Sequence, residues 1–581
     1  MNFKKLIKKT SKLLLIVSLI VTNVCSVFAK EEVKIEQKQR TIINVPLDSR
    51  PISLEYLENL ASINNDKVLS ISKNHLDKME NGLYTTGNTF LIRQEFSKLA
   101  KENNEIGNMA IINMSSYFFG GVIASRNSQS YQSFVSAYNS LKKDITTYDN
   151  IKYYINLNIP RTLPEDRAGV IWKTNNKLKG LGTFYLKHNI NTLSKDIKTF
   201  INNHYKKVDT NQFLMEYSYV LNKQQEGYPL TNWENEYLTY ANQVASKNQT
   251  YVNNYKKPYQ ITYDIFTALK SLTNLDNVEL IIGIDDYQLP NFVLYMYKNN
   301  YEDWIIKDNN NPIKFSFART YNKKIEQEIQ DVELSKIGKH KNINYIFGLD
   351  EIPQLIYARN LSQTLNKRTN FEICSNSIES VGIYDFSTNN QLLNSAINFV
   401  NQGSNVVDKP TKIYLYDYNN NNLSQYILDM QSNYLSKNIS LIEIYTNSTL
   451  DNYLFKNLLK QNFFNIYSLS AFSSWNTSAN AVGLGVAHSQ VYSISEQNQN
   501  AQLEMLTQHI IEDGFYNFTK KELQKQKYVP THNLNNIILT KSINMNTLNN
   551  LLDDKYISLK TYSFPWSRLF DCYVDTTILD K

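Results

Sequence analysis

Cysteine is scarce in this chain of 581 residues: there are three, and one of them, Cys25, lies in the first thirty positions. The remaining pair, Cys374 and Cys572, allows at most one disulfide, and a CxxC pair is absent, which removes thioredoxin-like redox and zinc-ribbon chemistry. The seven histidines are His75, His188, His204, His340, His488, His509 and His532. No two are three or four apart, so a zincin helix is excluded. GxSxG is missing, and with it the nucleophile elbow of the α/β-hydrolases. GxxxxGK[ST] is missing too, and Gly483-x-Gly485 by itself is no dinucleotide fingerprint. Beyond the N-terminus no apolar run reaches the ~18 residues of a membrane span.

Charge of one sign is also lacking once the N-terminus is set aside. Lys4, Lys5, Lys8, Lys9 and Lys12 precede an apolar run from Leu13 to Val21 and a Val27-Phe28-Ala29 end. That is the grammar of a secretory signal peptide over residues 1–29. Cys25 lacks the context of a lipidated cysteine, so the expectation is a released, secreted or cell-surface protein with no stable membrane insertion. Removing those five lysines from the formal +7 leaves about +2. A near-neutral surface gives no electrostatic case for nucleic acid.

What the chain has is a series of short apolar runs that end in polar residues. They are TIINVPLD (41–48), KVLSIS (67–72), NMAIINMSS (108–116), IKYYINLNIPR (151–161), VELIIGIDD (278–286), NINYIFGLDE (342–351), VGIYDF (381–386), KIYLYDY (412–418), ISLIEIYTN (439–447) and FNIYSLSAFSSWN (464–476). Near-continuous apolar strands imply a sheet buried on both faces, hence parallel strands covered by helices. The fold class is therefore α/β, built of repeated β-α units. Two arrangements fit: a (β/α)-barrel, or two open sheets joined near residues 365–380. The organisation expected is an N-terminal α/β region over 30–370, with a helical insertion at about 162–276, and a C-terminal α/β region over 371–581.

In either arrangement ligands bind at the carboxyl ends of the strands. Carboxylates recur there: Asp48, Asp285, Asp286, Asp350, Glu351, Asp385 and Asp417. Two adjacent pairs, Asp285-Asp286 and Asp350-Glu351, are the catalytic candidates. Two close carboxyl groups cannot both ionise cheaply, so one becomes a general acid, as glycoside hydrolysis requires. The same acids equally suit first-turn helix caps, or ligands to Mg²⁺ or Ca²⁺. Arg50, Arg126 and Arg161 could fork onto an anionic substrate group or pair with an acid such as Asp48. Gly120 and Gly121 allow close backbone approach or a plain turn. Trp475 offers either a stacking face for a sugar or a core side chain. Asn476 and Asn480, four apart on the incoming helix, share a face and could bind hydroxyls, or one of the residues there caps the helix.

The segments PLDSRP, FFGGVIASR, IIGIDDY, FGLDEIPQLIYAR, SSWNTSANAVG and FPWSRLF, in this order, resemble the bacterial domain of unknown function 4127 family over about residues 41–575. The family pattern carries Asp-Asp-Arg-Pro in the first segment, where Ser49 stands here for the second acid. It carries Gly-Ala-Asp-Glu where this chain has Gly348-Leu349-Asp350-Glu351. The first difference leaves Asp48 and Arg50 as the candidates there. The resemblance implies one continuous unit and supplies no reaction. The functional expectation is thus a secreted carbohydrate-active hydrolase without a cofactor, acting on a glycan or other cell-envelope polymer. The alternatives are a non-catalytic glycan-binding protein and a metal-dependent hydrolase.

Overall fold

The computed structural model describes residues 39–80, 83–125, 131–159, isolated positions from 224 to 266, 268–284, 342–375, 389–402, 404–406, 410–417, 422–444, 454–495, 498–515, 548–552, 554–563, 566 and 573–581. Asp285, Asp286, Arg126, Arg161, Asp385, Asn447, Cys572, the VGIYDF run and most of the expected helical insertion lie outside these residues. Thr41–Lys581 make one compact unit.

The strands of the first sheet are β1 (Thr41–Val45), β2 (Lys67–Ser70), β5 (Met109–Asn113), β6 (Lys152–Ile159), β7 (Val278–Ile284) and β8 (Ile343–Phe347). A short antiparallel hairpin, β3 (Lys78–Glu80) and β4 (Leu83–Thr85), stands apart from it. The order in the sheet is β2-β1-β5-β6-β7-β8, and every pairing is parallel. From β1 the chain goes first to one side, to β2, and then returns to the other, to β5. That reversal makes β1/β5 the topological switch point, where the connections diverge.

The second sheet has the order β10-β12-β13-β14 and is also parallel. Its strands are β10 (Phe371–Ser375), β12 (Thr411–Asp417), β13 (Asn438–Ile444) and β14 (Ala471–Ser473). Beside it are a two-residue ladder of β9 (Lys367–Arg368) with β11 (Asn405–Val406) and a C-terminal antiparallel hairpin of β15 (Lys555–Ser563) with β16 (Tyr573–Asp580). Among the described residues the strands form separate sheets and no closed barrel, so the two-sheet arrangement is the one realised. The run FNIYSLSAFSSWN is not one strand. Asn465 caps a 3₁₀ turn, Ile466–Ser468, and only Ala471–Ser473 pairs with β13.

Helices cover the sheets. Helix α1 (Pro51–Ser62) starts with a proline, whose fixed φ suits a first turn. Further on are α2 (Thr89–Glu102), α3 (Met114–Phe119), α4 (Val122–Ser125), α5 (Tyr131–Thr147) and α6 (Ile352–Leu365). The second half adds α7 (Asn389–Val400), α8 (Leu423–Asn433), α9 (Leu454–Leu458), α10 (Ser478–Ile494) and α11 (Gln499–His509). Helix α10 is buried almost all round, its polar Asn480, His488, Ser489 and Gln490 included. Its two glycines explain how. A Cβ on Gly485 would stand 2.6 Å from Ile442 Cγ1 of β13, whereas one on Gly483 would meet Glu351 Cγ at 2.2 Å and Leu355 at 3.2 Å. Two residues apart on a helix point to nearly opposite sides. The Gly-x-Gly therefore lets α10 touch the second sheet on one side and α6 on the other.

Gly485→Val is expected to overpack this contact and to destabilise the fold by about 1–3 kcal/mol. The shift of the urea unfolding midpoint measures it, and an unchanged midpoint would disprove the close contact.

Candidate functional site

The loops that follow β1 and β8 carry the charged centre of the molecule. In the sheet these strands are separated by β5, β6 and β7. Arg50, the N-cap residue of α1, donates from Nε to Asp48 Oδ2 at 2.8 Å, and its Nη2 contacts the same oxygen at 2.7 Å. Nη2 also pairs with Asp350 Oδ1. Asp48 Oδ1 accepts from the Arg50 backbone N–H at 3.1 Å and from Ser53 Oγ at 2.9 Å. All three charged side chains are buried, with Asp48 at 0% exposure. Of the two roles open to Arg50, the structure thus shows pairing with acids.

Trp566, from the FPWSRLF segment, donates its indole N–H to Ser49 Oγ at 2.9 Å, and the Arg50 guanidinium lies 5.6 Å from its ring centroid. Asp77 lies close by. Burial first, and then the Asp48 charge, push its carboxyl well above the ordinary carboxylate range. Tyr84 Oη donates to its Oδ2 at 2.9 Å. Gly120 ends α3 in the left-handed conformation at φ 77°. Gly121, at φ 138°, presents bare backbone to Asp77, whose Oδ2 would be 2.0 Å from a Cβ there. Close approach is therefore the use of this glycine pair.

Glu351 is next to Asp350 but in a different environment. It occupies the N-cap position of α6 and makes no side-chain cap bond. Its carboxyl turns back instead, accepting from Leu349 N at 3.2 Å and from the Asn480 amide, both on Oε2. Gly348 makes room for the turn: its φ is 121°, and a Cβ would fall 1.6 Å from Glu351 Oε1. Burial pushes the Glu351 carboxyl up to about 8, with the Asp350 charge adding and the hydrogen bonds opposing. Oε1 has no hydrogen-bond partner among the described residues.

Asn480 is itself held in place. Asn476 Nδ2 and Thr477 Oγ1 donate to its Oδ1 at 3.0 Å and 2.8 Å. Thr477 is the N-cap of α10, and Asn476 precedes the helix in a left-handed conformation, φ 59°. The two asparagines meet through the cap and not along a helix face, because Asn476 lies before the helix. Trp475 is a correction. It is 3% exposed and belongs to the main core cluster, so it offers no open stacking face. A large ring at a strand end beside α10 is worth more as buried area than as a platform.

Segments scattered over the chain thus converge: PLDSRP, FFGGVIASR, FGLDEIP, SSWNTSANAVG and FPWSRLF all contribute to one polar cluster at the carboxyl edge of the first sheet. Sequence reasoning missed Asp77, which lies seven residues beyond the end of β2 and directly before β3, and gave no site role to Trp566. The sequence of FPWSRLF carried the only signal for the latter.

Residues 42–226 and 304–575 match the family described as protein of unknown function (DUF4127), and the chain belongs to that family. IIGIDDY falls in the stretch between the two matched ranges. No curated protein and no solved structure matches the chain.

Arg50→Met would strip the cation from two buried carboxylates. The expected cost is about 3–5 kcal/mol at neutral pH, read from denaturant unfolding. Loss below about 1 kcal/mol would show the pairs to be weak. Glu351 makes a signed prediction for pH. Its carboxyl sits at about 8 when folded against an ordinary 4.5, so the native state keeps a proton that the unfolded chain releases. The stabilisation is complete below 4.5 and is lost as pH rises through about 8. Glu55, Asp77 and Glu512, also raised by burial, act with the same sign. The Glu351→Gln variant isolates one group. Between pH 4.5 and 8 its stability should fall less steeply than wild type, by about 1.4 kcal/mol per pH unit. Parallel curves would mean that Glu351 ionises normally.

Proposed function

We propose that this protein is a secreted carbohydrate-active hydrolase of the cell envelope, with Glu351 as its proton donor. The observation that carries the reading is the contrast between adjacent carboxyl groups. Asp350 is ion-paired to Arg50, whereas Glu351 is buried with its carboxyl pushed up to about 8. Neighbouring acids with environments this different are how a site keeps one proton donor and one carboxylate at neutral pH. Glycosyl transfer to water uses that division of labour: the acid protonates the leaving oxygen, and a carboxylate stabilises the cationic sugar or activates water. Asp48 and Glu351 follow the carboxyl ends of parallel strands, the edge of the sheet at which α/β folds take ligands. Export, read from residues 1–29, matches a polymer outside the cell.

The metal-dependent alternative is less favoured, because Asp48 and Asp350 already share a cation fixed in the chain, the Arg50 guanidinium. A binding protein without turnover would not need a protonated carboxyl beside an ion-paired one.

The test is incubation of the purified protein with cell-envelope polysaccharides and a panel of glycosides, with released sugars read by mass spectrometry. Release is expected, with loss of at least ~100-fold in folded Glu351→Gln. Activity should decline as pH rises through about 8, where the acid loses its proton. Retention on a polymer without release would replace the hydrolase with the binding reading.

A further inference from the structure

The face of the first sheet that packs on α1 and α6 changes character along the strands. Its lower part is apolar: Ile42, Met109, Ile111, Tyr154, Ile281 and Ile346 join the main core cluster with Ile52, Leu57 and Leu355. Side chains two apart in a strand share a face. Continuing each strand toward its carboxyl end gives Asn113 on β5, Asn156 and Asn158 on β6, and Gly283 on β7. The register sets Asn113 opposite Asn156 and Asn158 opposite Gly283. Asn158 Oδ1 and Ile352 Cδ1 fill the space that a side chain at Gly283 would take, lying 2.3 Å and 2.5 Å from where its Cβ would stand. Ile352 directly follows Glu351, so the amide row and the proposed proton donor both lie against the start of α6.

These amides are deeply buried: Asn113 is 1% exposed, Asn156 0% and Asn158 7%. Yet Asn113 Nδ2 and both amide atoms of Asn156 and of Asn158 have no hydrogen-bond partner among the described residues. Asn113 Oδ1 alone is used, accepting from Ser115 N at 2.9 Å. Buried polar atoms are nearly always satisfied, and leaving them unpaired is costly. Asn44, on the neighbouring strand, is better satisfied: its amide donates to Ser53 O and Ser70 Oγ and only Oδ1 lacks a partner among the described residues, whereas Asn156 and Asn158 have neither atom used.

The chemistry of the row selects its partner. It offers amide donors and carbonyl acceptors side by side, which suits hydroxyl groups because each can donate and accept. An anion would face the two carbonyl oxygens, and the nearby cation Arg50 is shared by two carboxylates. We infer that Asn113, Asn156 and Asn158 are the recognition floor for one neutral sugar unit of the substrate, bound beside Glu351; this rests on the carbohydrate reading above. The row is closed to solvent as the chain stands.

The experiment measures binding by calorimetry and by ligand-induced melting shifts, using neutral gluco- and N-acetylglucosamine oligomers against uronate and phosphorylated oligomers. Asn156→Leu removes an unpartnered amide and keeps the branching and heavy-atom count of the side chain. Its unliganded melting temperature should equal or exceed wild type, because an unsatisfied buried group is gone. Its affinity for the neutral oligomer should fall by about tenfold or more. Asn158→Leu gives the same readout should Asn156→Leu fail to fold. Undiminished binding in the folded variants overturns the inference, and so does preference of wild type for the anionic oligomers. A lower melting temperature with undiminished binding would mark the row as a site for structural water. Glu351→Gln separates the two readings, since it should bind and not hydrolyse. Wild-type binding without hydrolysis, lost in Asn156→Leu, would sink the hydrolase and leave the floor standing. Hydrolysis with unaltered binding in Asn156→Leu would sink the floor alone. No binding of any oligomer by wild type would overturn both.

Discussion

One guanidinium joins the loop after β1 to the loop after β8, across the width of β5, β6 and β7. Much of the site's geometry follows from it. Asp48 pairs with Arg50 while also accepting from the Arg50 backbone and from Ser53, so the start of α1 is tied to the same carboxylate. Asp350 immediately precedes the first turn of α6. Holding these two residues on one cation fixes where both helices enter the face of the sheet. Arginine suits this task better than lysine, because its planar fork reaches two carboxylates at once and is less strongly hydrated. Burial makes the arrangement expensive to assemble and more expensive to break, since each lost partner leaves a charge stranded away from water.

That ionic centre also dictates the protonation of its neighbours. Two carboxylates around one guanidinium leave a net negative charge in a dry environment. A third or fourth ionised carboxyl nearby would add desolvation and like-charge repulsion together. Asp77 and Glu351 respond by holding their protons, Asp77 under the influence of Asp48 and Glu351 under that of Asp350. Gly121 and Gly348 give these neutral carboxyls the space to lie against backbone. The division into charged and neutral acids is thus a consequence of how closely they crowd.

The fold was legible because burial on both faces leaves its mark on composition: TIINV, MAIIN and VELIIGI read as interior parallel strands before any partner is known. Strand β10, FEICS, was missed because it is only partly buried and carries a charge. Asp48, Asp350 and Glu351 were singled out by the rule that strand ends face the ligand, and Asn480 by its spacing from Asn476. Their partnerships were not, since Arg50 and Asp350 are 300 positions apart and no local pattern encodes the pairing. Trp475 was misjudged for a related reason. Its neighbours, two asparagines and small residues, suit a sugar and a helix cap equally, and only α10's position in the core decides between them. The amides of YYINLNI were passed over inside an apolar run, although they break it with a period of two, a pattern that costs stability unless something uses it.

Helix α10 gives the second sheet a part in this chemistry. Gly485 seats it on β13, Gly483 seats it on Glu351 and Leu355, and Thr477 caps it so that Asn480 reaches the Glu351 carboxyl. Asn480 is in turn fixed by Asn476 and Thr477, which share its amide oxygen. With that oxygen occupied, its NH₂ group must point at Glu351, and the amide cannot flip without losing both bonds. A hydrogen bond from an amide N–H lowers the carboxyl's pKa, while burial under α10 raises it. The same helix therefore sets both opposing contributions, and sub-ångström movement of α10 relative to α6 would change the acidity of Glu351 without touching Glu351 itself. A second parallel sheet in this chain is then more than an extra core: it is the rigid support against which the proton of one glutamic acid is tuned.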